Sequence, residues 1–346
     1  MSKRFSLLSL TLAALLCLLW AGLAPARMIT DMGGRQVEVP ERINRVFATA
    51  PPAMYMVYAL GPDLLVGLNS ALSQAGRGYL DPRVFELPVL GGWFGQGRMA
   101  NREALLQARP EVVVSFRWRS QAVQWKIEQT LEPLGLPVVG VSIGSISDYP
   151  AVFRFLGELF NRQERGEALA RYAEQTLAAM ERLRQELPLA EKLVVYYAEG
   201  AQGLQTECDS SFHAELINIC GGVNPHHCQA TNIPGMNQVS LEQVLAYDPQ
   251  VILTHDAGFF ASVKQDPRWS RVRAVRDGRI HLIPTRPINW FDRPPSFMGL
   301  LGAHWLAHQL YPARHPVDMV AETQAFCRLF LGVGPDPTAA AKLLEP

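Results

Sequence analysis

The sequence lacks an excess of charge of either sign, because 32 lysines and arginines are balanced by 32 aspartates and glutamates. Proteins that bind the nucleic acid backbone carry a large basic face, so we expect no nucleic acid partner. Hydrophobic residues make up 48% of the 346 residues, which is enough to build two domains that each have a core.

Motifs that bind phosphate or dinucleotides are also missing. The chain contains no GxxxxGK[ST] loop, and the glycine-rich run 91–97 lacks the dinucleotide pattern and the helix that should follow it. Asp209, Ser210 and His213 can be drawn as a catalytic triad, but an Asp-Ser-Ser run before a helical segment is typical of a helix N-cap. Catalytic constellations are thus thin in the sequence, and our expectation is a protein that is not an enzyme and needs no cofactor.

The amino end has the parts of a secretory signal peptide. Lys3 and Arg4 precede a continuous apolar run from Leu7 to Leu23, and a small-residue cleavage site follows at 24–26. We expect residues 1–26 to be removed and the mature chain to begin near Arg27 in the periplasm. The apolar run is also long enough to act as an uncleaved anchor, so this alternative stays open.

Four cysteines follow the signal segment, at positions 208, 220, 228 and 327. Export permits disulfides, and four cysteines allow three pairings. The sequence does not choose among these pairings. Cys220 lies in an apolar helical pattern and could equally be a small buried hydrophobic residue.

One long amphipathic helix is predicted from about Glu164 to Leu187. Apolar residues recur there at steps of three and four, arginine and glutamate occupy the other face, and Pro188 ends the helix. The residues of the apolar stripe are Leu169, Tyr172, Ala173, Thr176, Leu177, Met180, Leu183 and Leu187.

Two similar segments lie on either side of this helix. NREALLQARPEVVVS begins at Asn101, SLEQVLAYDPQVILT begins at Ser240, and the two align without a gap. Glu103 aligns with Glu242, and the proline and the apolar run that follow also align. Each segment predicts a short helix, a proline break and a buried parallel strand. Such units resemble one another in many α/β proteins, but the shared glutamate and proline favour a repeat.

The order of elements predicts an α/β fold with two similar parallel-sheet lobes and one long connecting helix. The expected parts are residues 27–145, the connecting segment 146–187, residues 188–334 and a frayed tail at 335–346. Beside the repeat units we expect a hairpin at 27–40, strands at 45–50, 64–68, 138–141, 193–197 and 279–283, and helices at 53–60, 121–134, 148–160, 210–219, 296–310 and 317–330.

Ligands of parallel α/β sheets bind beyond the carboxyl ends of the strands. The residues at those ends are rich in tryptophan and arginine, which suits a bulky, partly apolar and often anionic ligand. The alternative for each aromatic residue is filling of the core. The candidates are Thr49, Pro51, Tyr55, Trp93, Phe116, Arg117, Trp118, Glu199, Gln202, His255, Asp256, Arg286, Asn289, Trp290, Asp292 and Arg293.

A metal site is a weaker candidate. His226, His227 and Cys228 follow a glycine turn, and imidazole and thiolate suit zinc, copper or nickel. The chain has no CxxC pair, and a polar loop with Cys228 in a disulfide is the competing interpretation. His304 and His308 lie four apart but flank Trp305 on a packed helix, so we expect surface or core roles for them.

These features together resemble the helical-backbone (class III) periplasmic binding proteins, which serve ABC importers for ferric siderophores, haem and cobalamin. The resemblance spans essentially the whole mature chain. It is carried by the two repeat units and by three further segments, ITDMGGRQVEVPERINRVFA, HAELINICGGVN and NWFDRPPSFMGLLGAHWLA.

The resemblance implies a monomer that captures a ligand in a largely preformed cleft between the lobes and presents it to a membrane permease. Glu103 and Glu242 match the glutamates that dock onto permease arginines in this family. Trp93, Phe116 and the loop 289–293 match positions along the cleft. Arg117, Arg286 and Arg293 are candidates for anionic groups of the ligand.

Three ligand hypotheses follow. The first is a metal chelate, with a ferric siderophore ahead of haem or cobalamin. The second is a small oxyanion such as molybdate or tungstate on the same scaffold. The third is a secreted metalloenzyme that uses the histidine and cysteine cluster.

Overall fold

The computed structural model describes most of the mature chain, namely residues 25–93, 99–117, 127, 129–228 and 236–345. Among the sequence predictions, the signal segment, Trp118 and most of the helix expected at 121–134 lie outside the described residues. Residues 129–131 are helical and lead into a 3-10 turn at Glu132–Leu134.

The first described element is the predicted hairpin. Strand β1 (Ala26–Thr30) pairs antiparallel with β2 (Gln36–Pro40). Gly34 in the turn has a φ of 81°, which a glycine adopts without strain. The carboxylate of Asp31 accepts the N–H groups of Gly33 and Arg35, so the turn is closed by a side chain as well as by the strands.

The first lobe is a parallel sheet with helices between its strands. It contains β3 (Val46–Ala48), α1 (Pro51–Leu60), α2 (Arg102–Ala108), β4 (Val112–Arg117) and β5 (Val138–Ser142). The strands lie in the order β3-β4-β5, and both pairs are parallel. The strand predicted at 64–68 forms only single bridges, to Val46 and Val89, and a 3-10 turn occupies its start.

Two antiparallel helices link the lobes. Helix α3 (Tyr149–Leu159) is followed by α4 (Gln163–Glu186), whose 24 residues span about 36 Å. The predicted stripe faces the protein, since every member of it is buried or half-buried. On the outer face Arg154 of α3 forms ion pairs with Glu167 and Glu174 of α4. The long connecting helix is therefore confirmed.

Helices α3 and α4 approach closely at a pair of glycines, Gly157 and Gly166. A Cβ atom on Gly166 would lie 2.5 Å from the carbonyl oxygen of Phe153. We expect Gly166→Ala to reduce the free energy of unfolding by about 2 kcal/mol, because overpacking outweighs the gain in helix propensity. Urea denaturation measures this change. Gly334→Ala is the control, since its Cβ would meet nothing nearer than 3.7 Å, and equal stability of both variants would contradict the prediction.

The second lobe repeats the plan of the first. Its elements are β6 (Val195–Tyr197), β7 (Gln205–Thr206), α5 (Glu215–Ile219), β8 (Asn237–Gln238), α6 (Leu241–Tyr247), β9 (Val251–Thr254), α7 (Ala257–Ser262), α8 (Arg273–Arg276) and β10 (Ile280–Leu282). The parallel sheet has β9 at its centre, between β6 and β10, as β4 lies between β3 and β5.

The local geometry of the two repeat units is the same. Asn101 caps α2 by accepting the N–H of Ala104, and Ser240 caps α6 by accepting the N–H of Gln243. The residues that end the two helices, Arg109 and Asp248, both adopt the left-handed conformation, with φ of 47° and 44°. Few non-glycine residues do so, and the aligned positions of these two support the predicted repeat.

Three helices complete the fold, α9 (Met298–Leu310), α10 (Met319–Phe326) and α11 (Pro337–Leu344). A π-helical turn at Cys327–Leu331 extends α10. The prediction of a frayed tail was wrong, because Asp336 caps α11 and Leu343 is buried. No helix among the described residues is long and apolar enough to cross a membrane.

Candidate functional site

A cleft separates the two lobes. It is lined from the first lobe and the connecting segment by Pro52, Phe116, Ile143, Ser145, Ile146 and Tyr149, and from the second lobe by Phe212, Glu215, Leu216, Phe291, Asp292, Pro295 and Gly299. The cavity between these walls has a volume of about 10 Å³, room for about one water. The described walls are thus closer together than a preformed cleft for a bulky ligand requires.

Aromatic rings come to this cleft from both lobes. Phe116 lies on β4, Phe212 begins the 3-10 turn before α5, and Phe291 lies in the loop after β10. The ring of Phe291 packs at 4.9 Å from the ring of Tyr197. The sequence analysis selected Phe116 and expected the loop 289–293 along the cleft, but it did not select Phe291 as a ligand residue and missed Phe212. Phe291 lies within the NWFDR segment, between the selected residues Trp290 and Asp292.

A cavity of about 460 Å³ lies beside the cleft, towards the connecting helix. Leu177, Met180 and Arg184 of α4 line one side of it. Ser145, Phe212 and Glu215 line both cavities, so these three side chains form the partition between them.

Glu215 ties the second lobe to the connecting segment. Its Oε1 accepts the backbone N–H of Ile146 at 2.9 Å, and burial raises the pKa of its carboxyl to about 6. The sequence analysis missed this residue, because a contact between residues 69 positions apart leaves no local pattern.

Arg293 is the centre of an ionic network at the second-lobe wall. Its Nε donates to Glu199 at 2.7 Å, its Nη2 donates to Glu207, and Asp292 lies at 3.3 Å. Both glutamates are almost fully buried, and the Arg293 side chain is 24% exposed. Burial raises the pKa of Glu199 to about 8 against the opposing attraction of Arg293. Glu199 Oε2 is buried without a hydrogen-bond partner.

Asp292 collects two further partners. It accepts from the hydroxyl of Tyr197 at 2.7 Å and from Nδ1 of His213 at 2.9 Å. The Tyr197 hydroxyl in turn accepts from Nδ1 of His255 at 2.8 Å. Burial lowers the pKa of His255, which leaves its Nε2 as an acceptor. The structure therefore brings together four predicted residues, Glu199, His255, Asp292 and Arg293, with His213 and Glu207, which were not selected as ligand residues.

The other predicted residues of the loop after β10 hold its shape. Asn289 Oδ1 accepts the backbone N–H groups of Phe291 and Asp292. Trp290 is fully buried and its Nε1 donates to the carbonyl of Arg286. Arg286 donates to the carbonyl of Lys342 in α11. These three side chains position the loop, and their polar atoms are engaged within the protein.

The remaining first-lobe candidates are divided between core and cleft edge. Thr49 is buried and its hydroxyl accepts the N–H of Phe116, which fixes the end of β4. Tyr55 is buried against Phe297. Trp93 is half-buried with its ring 6.4 Å from that of Phe47. Pro51 begins α1, and its neighbour Pro52 lines the cleft.

Three further selected positions do not line the described cleft. Arg117 ends β4, and its side chain lies outside what the structure describes. Asp256 caps α7 by accepting the N–H of Phe259. Gln202 lies in the turn between β6 and β7 and is exposed.

The structure selects one pairing of the cysteines. Cys208 forms a disulfide with Cys228, while Cys220 and Cys327 are free and buried. His227 is exposed and bonds Asp209, so it does not join His226 and Cys228 in one ligand set. Because His213 bonds Asp292 and Asp209 bonds His227, the triad drawn from the sequence does not assemble.

Residues 140–144, GVSIG, fit the spacing of a nucleophile motif. Ser142 is the last residue of β5, and none of the hydrogen bonds described for the structure joins it to a histidine. Among the described residues, therefore, Ser142 has no histidine partner of the kind that such a motif requires.

Comparison with known proteins identifies the family. The profile of the periplasmic binding proteins matches residues 93–287, more than half of the chain. The chain belongs to the periplasmic binding protein family. Its fold is that of the class III members, with two lobes and one connecting helix.

Individual relatives agree with this assignment. A solved ABC transporter solute binding protein from Sulfurospirillum deleyianum is 36% identical, with a TM-score of 0.86, and the match covers 92% of this chain and 99% of that one. The molybdate-binding protein MolA of Haemophilus influenzae is 26% identical over 96% of this chain and 99% of its own. The vitamin B12-binding protein of Yersinia pestis is 27% identical over 79% of this chain and 89% of its own.

This periplasmic binding protein is thus the solute-binding component of an ABC transporter, and its family consists of substrate-binding proteins rather than enzymes. Glu103 and Glu242 are exposed in the first turns of α2 and α6. The helix dipole favours a carboxylate at each of these positions.

Proposed function

We propose that this periplasmic binding protein captures a metal chelate with a partly apolar organic shell and delivers it to the permease of an ABC importer. A ferric siderophore is the first choice, ahead of haem and cobalamin. The observation that carries the proposal is the convergence of Phe116, Phe212 and Phe291 on one cleft from both lobes.

The composition of the cleft supports an organic ligand. Aliphatic and aromatic side chains make up most of its walls, and such walls bind organic surfaces by burial and stacking. Glu215 and Asp292 are the charged residues among the described lining, and no described arginine or lysine lines the cavity. This wall favours a ligand surface that is neutral, cationic or rich in hydrogen-bond donors.

The narrow cleft implies that the protein opens to bind. Ligand pockets usually enclose about 300–1,000 Å³, whereas the described walls enclose about 10 Å³. We infer that the lobes separate, or that Phe212 and Glu215 move aside, when a chelate enters. The hydrogen bond from Ile146 to Glu215 is a contact that such a movement breaks.

A small oxyanion is the second candidate, and two observations favour it. The cavity is small, and the relative matched over nearly the full length of both chains is named as a molybdate-binding protein. Arg293 follows Asp292 of the cleft wall and is a candidate cation, but Glu199 and Glu207 hold its guanidinium. An oxyanion site would have to displace these carboxylates.

Native mass spectrometry and elemental analysis of mature protein from its own periplasm decide between the candidates. A metal with an organic adduct supports the chelate. Molybdenum or tungsten without an organic component overturns it and supports the oxyanion.

Phe212→Ala gives a second test, on the ligand that mass spectrometry identifies. We expect the affinity for a chelate to fall about tenfold, about 1.4 kcal/mol, because a stacking wall of the cleft is removed. Titration of tryptophan fluorescence measures it. Phe85→Ala is the control, since Phe85 stacks on Arg77 and does not line the cleft. Unchanged affinity in Phe212→Ala would show that the ring takes no part in binding.

The mechanism is capture and delivery, not conversion. The loaded protein presents Glu103 and Glu242 to basic residues of the permease, and the connecting helix α4 sets the separation of the two lobes that carry them. The ligand then passes into the permease.

A further inference from the structure

A second set of chemically active side chains lies outside the cleft lining. Cys208, His226 and Cys228 each offer one ligand atom, and these atoms lie within 4.8 Å of one another. In the structure the two cysteines form a disulfide. The same two sulfurs and the imidazole would be a three-ligand set if the disulfide were reduced.

The two segments that carry the cysteines are held together by other bonds as well. The backbone N–H of Asp209 donates to the carbonyl of His226 at 2.9 Å, and the Ser210 hydroxyl donates to the carbonyl of Cys228 at 3.2 Å. The amide of Asn237 donates to Sγ of Cys208 at 3.6 Å. Because these bonds do not depend on the disulfide, reduction leaves both sulfurs side by side.

The environment of His226 is typical of a histidine that binds a metal ion. Its Nδ1 bonds the hydroxyl of Tyr247 at 2.9 Å, and its backbone N–H donates to Asn224 at 3.0 Å. Its Nε2 is buried without a hydrogen-bond partner among the described residues. A hydrogen bond on one ring nitrogen fixes the tautomer that leaves the other free to ligate. A buried nitrogen without a partner is uncommon in proteins.

We propose that Cys208, Cys228 and His226 form a redox-gated site for a thiophilic metal ion of the Zn²⁺ type. In the oxidised protein the sulfurs bond each other and the site is closed. In the reduced protein two thiolates and one imidazole hold the ion, and a fourth position stays open to water.

The chemistry balances with a dithiol as the reductant. The dithiol gives two electrons to the S–S bond and one proton to each sulfur, and becomes a cyclic disulfide. Binding of Zn²⁺ then replaces the two thiol protons, which pass to the buffer. Dioxygen re-forms the disulfide when it takes two electrons from the two thiolates and two protons from the buffer to become hydrogen peroxide, and the ion is released.

The test uses mature protein reduced with dithiothreitol, freed of it by anaerobic gel filtration and titrated with Zn²⁺ alone. We expect one Zn²⁺ per reduced chain and none per oxidised chain. Co²⁺ in place of Zn²⁺ should give the intense near-ultraviolet absorption of thiolate ligation. Reduced protein that binds no stoichiometric metal, or that loses its folded circular dichroism spectrum on reduction, would overturn the proposal.

Two adjacent histidines give a matched pair of variants. We expect His226→Ala to weaken Zn²⁺ binding by the reduced protein at least tenfold, and His227→Ala, whose exposed ring bonds Asp209, to leave it unchanged. Equal affinities in the two variants would refute the role of His226. The rate at which the disulfide re-forms in air is an independent measurement. Bound Zn²⁺ must slow the re-formation of the disulfide in the protein of native sequence. A rate that Zn²⁺ leaves unchanged would contradict metal binding by the two cysteines.

Discussion

Replacing Glu103 and Glu242 together by alanine should abolish transport while leaving ligand affinity unchanged. Both carboxylates are exposed in the first turn of a capped helix, and neither lines the cleft. Charge pairs between a carboxylate and an arginine steer and orient two surfaces, so removal from both lobes takes away both anchors. Uptake of the identified ligand by cells that carry the variant measures the effect.

The matched control replaces Glu164 and Glu186, which are exposed at the two ends of α4. Like Glu103, Glu164 lies in the first turn of its helix, so the control also covers the loss of a favourable helix-dipole interaction. We expect full uptake from this control. Wild-type uptake by the Glu103→Ala, Glu242→Ala protein would show that the permease recognises another surface.

The repeat was predictable from the sequence because short local patterns determine each of its elements. A capping residue, a helix, a proline and a buried strand recur with the same spacing, and the structure gives Asn101 and Ser240 the same capping role. The apolar stripe of α4 is also local, and its burial follows the predicted period. Fold class and lobe order therefore follow from periodicity and turn chemistry.

The interior of the candidate site was less predictable, because long-range contacts build it. Arg293 pairs with Glu199 and Glu207, which are 94 and 86 positions away in the sequence. The strand-end rule placed Glu199, Asp292 and Arg293 at one edge, but it could not show that they bind one another instead of facing solvent. Glu207 follows a two-residue strand that has no periodic signal.

The loop after β10 shows that a family resemblance predicts where a residue lies better than it predicts what the residue does. Asn289 and Trp290 were expected at the cleft, and they directly precede Phe291 and Asp292, which line it. Their polar atoms fold the loop, whereas the neighbouring ring of Phe291 lines the cavity. The choice of which side chain turns outward depends on the packing of Trp290 under the loop, which no short pattern encodes.

Arg293→Met should cause a large loss of stability in the second lobe. The substitution leaves the buried Glu207 without its cation and Glu199 without its hydrogen-bond donor, and breaking a buried ion pair in this way costs about 3–5 kcal/mol. Urea denaturation at neutral pH measures it. The control is Arg273→Met, whose ion pairs with Asp248 and Asp277 are on the surface, and we expect a change below about 1 kcal/mol there.

The pH dependence of that variant gives the sharper test. Burial raises the pKa of Glu199 from 4.5 to about 8, so the folded state binds a proton that the unfolded state releases between these values. Stability therefore falls as pH rises from about 4.5 towards 8. Without Arg293 the pKa of Glu199 rises further, because burial then acts without the opposing attraction of the guanidinium. The slope of the decline stays at about 1.4 kcal/mol per pH unit, the limit for one proton, and the decline extends to higher pH. The double variant Arg293→Met, Glu199→Gln should be more stable at pH 8 than Arg293→Met alone, because glutamine does not have to take up a proton when the chain folds. If the two variants have equal stability at pH 8 and the same slope with pH, Arg293 does not act by neutralising Glu199.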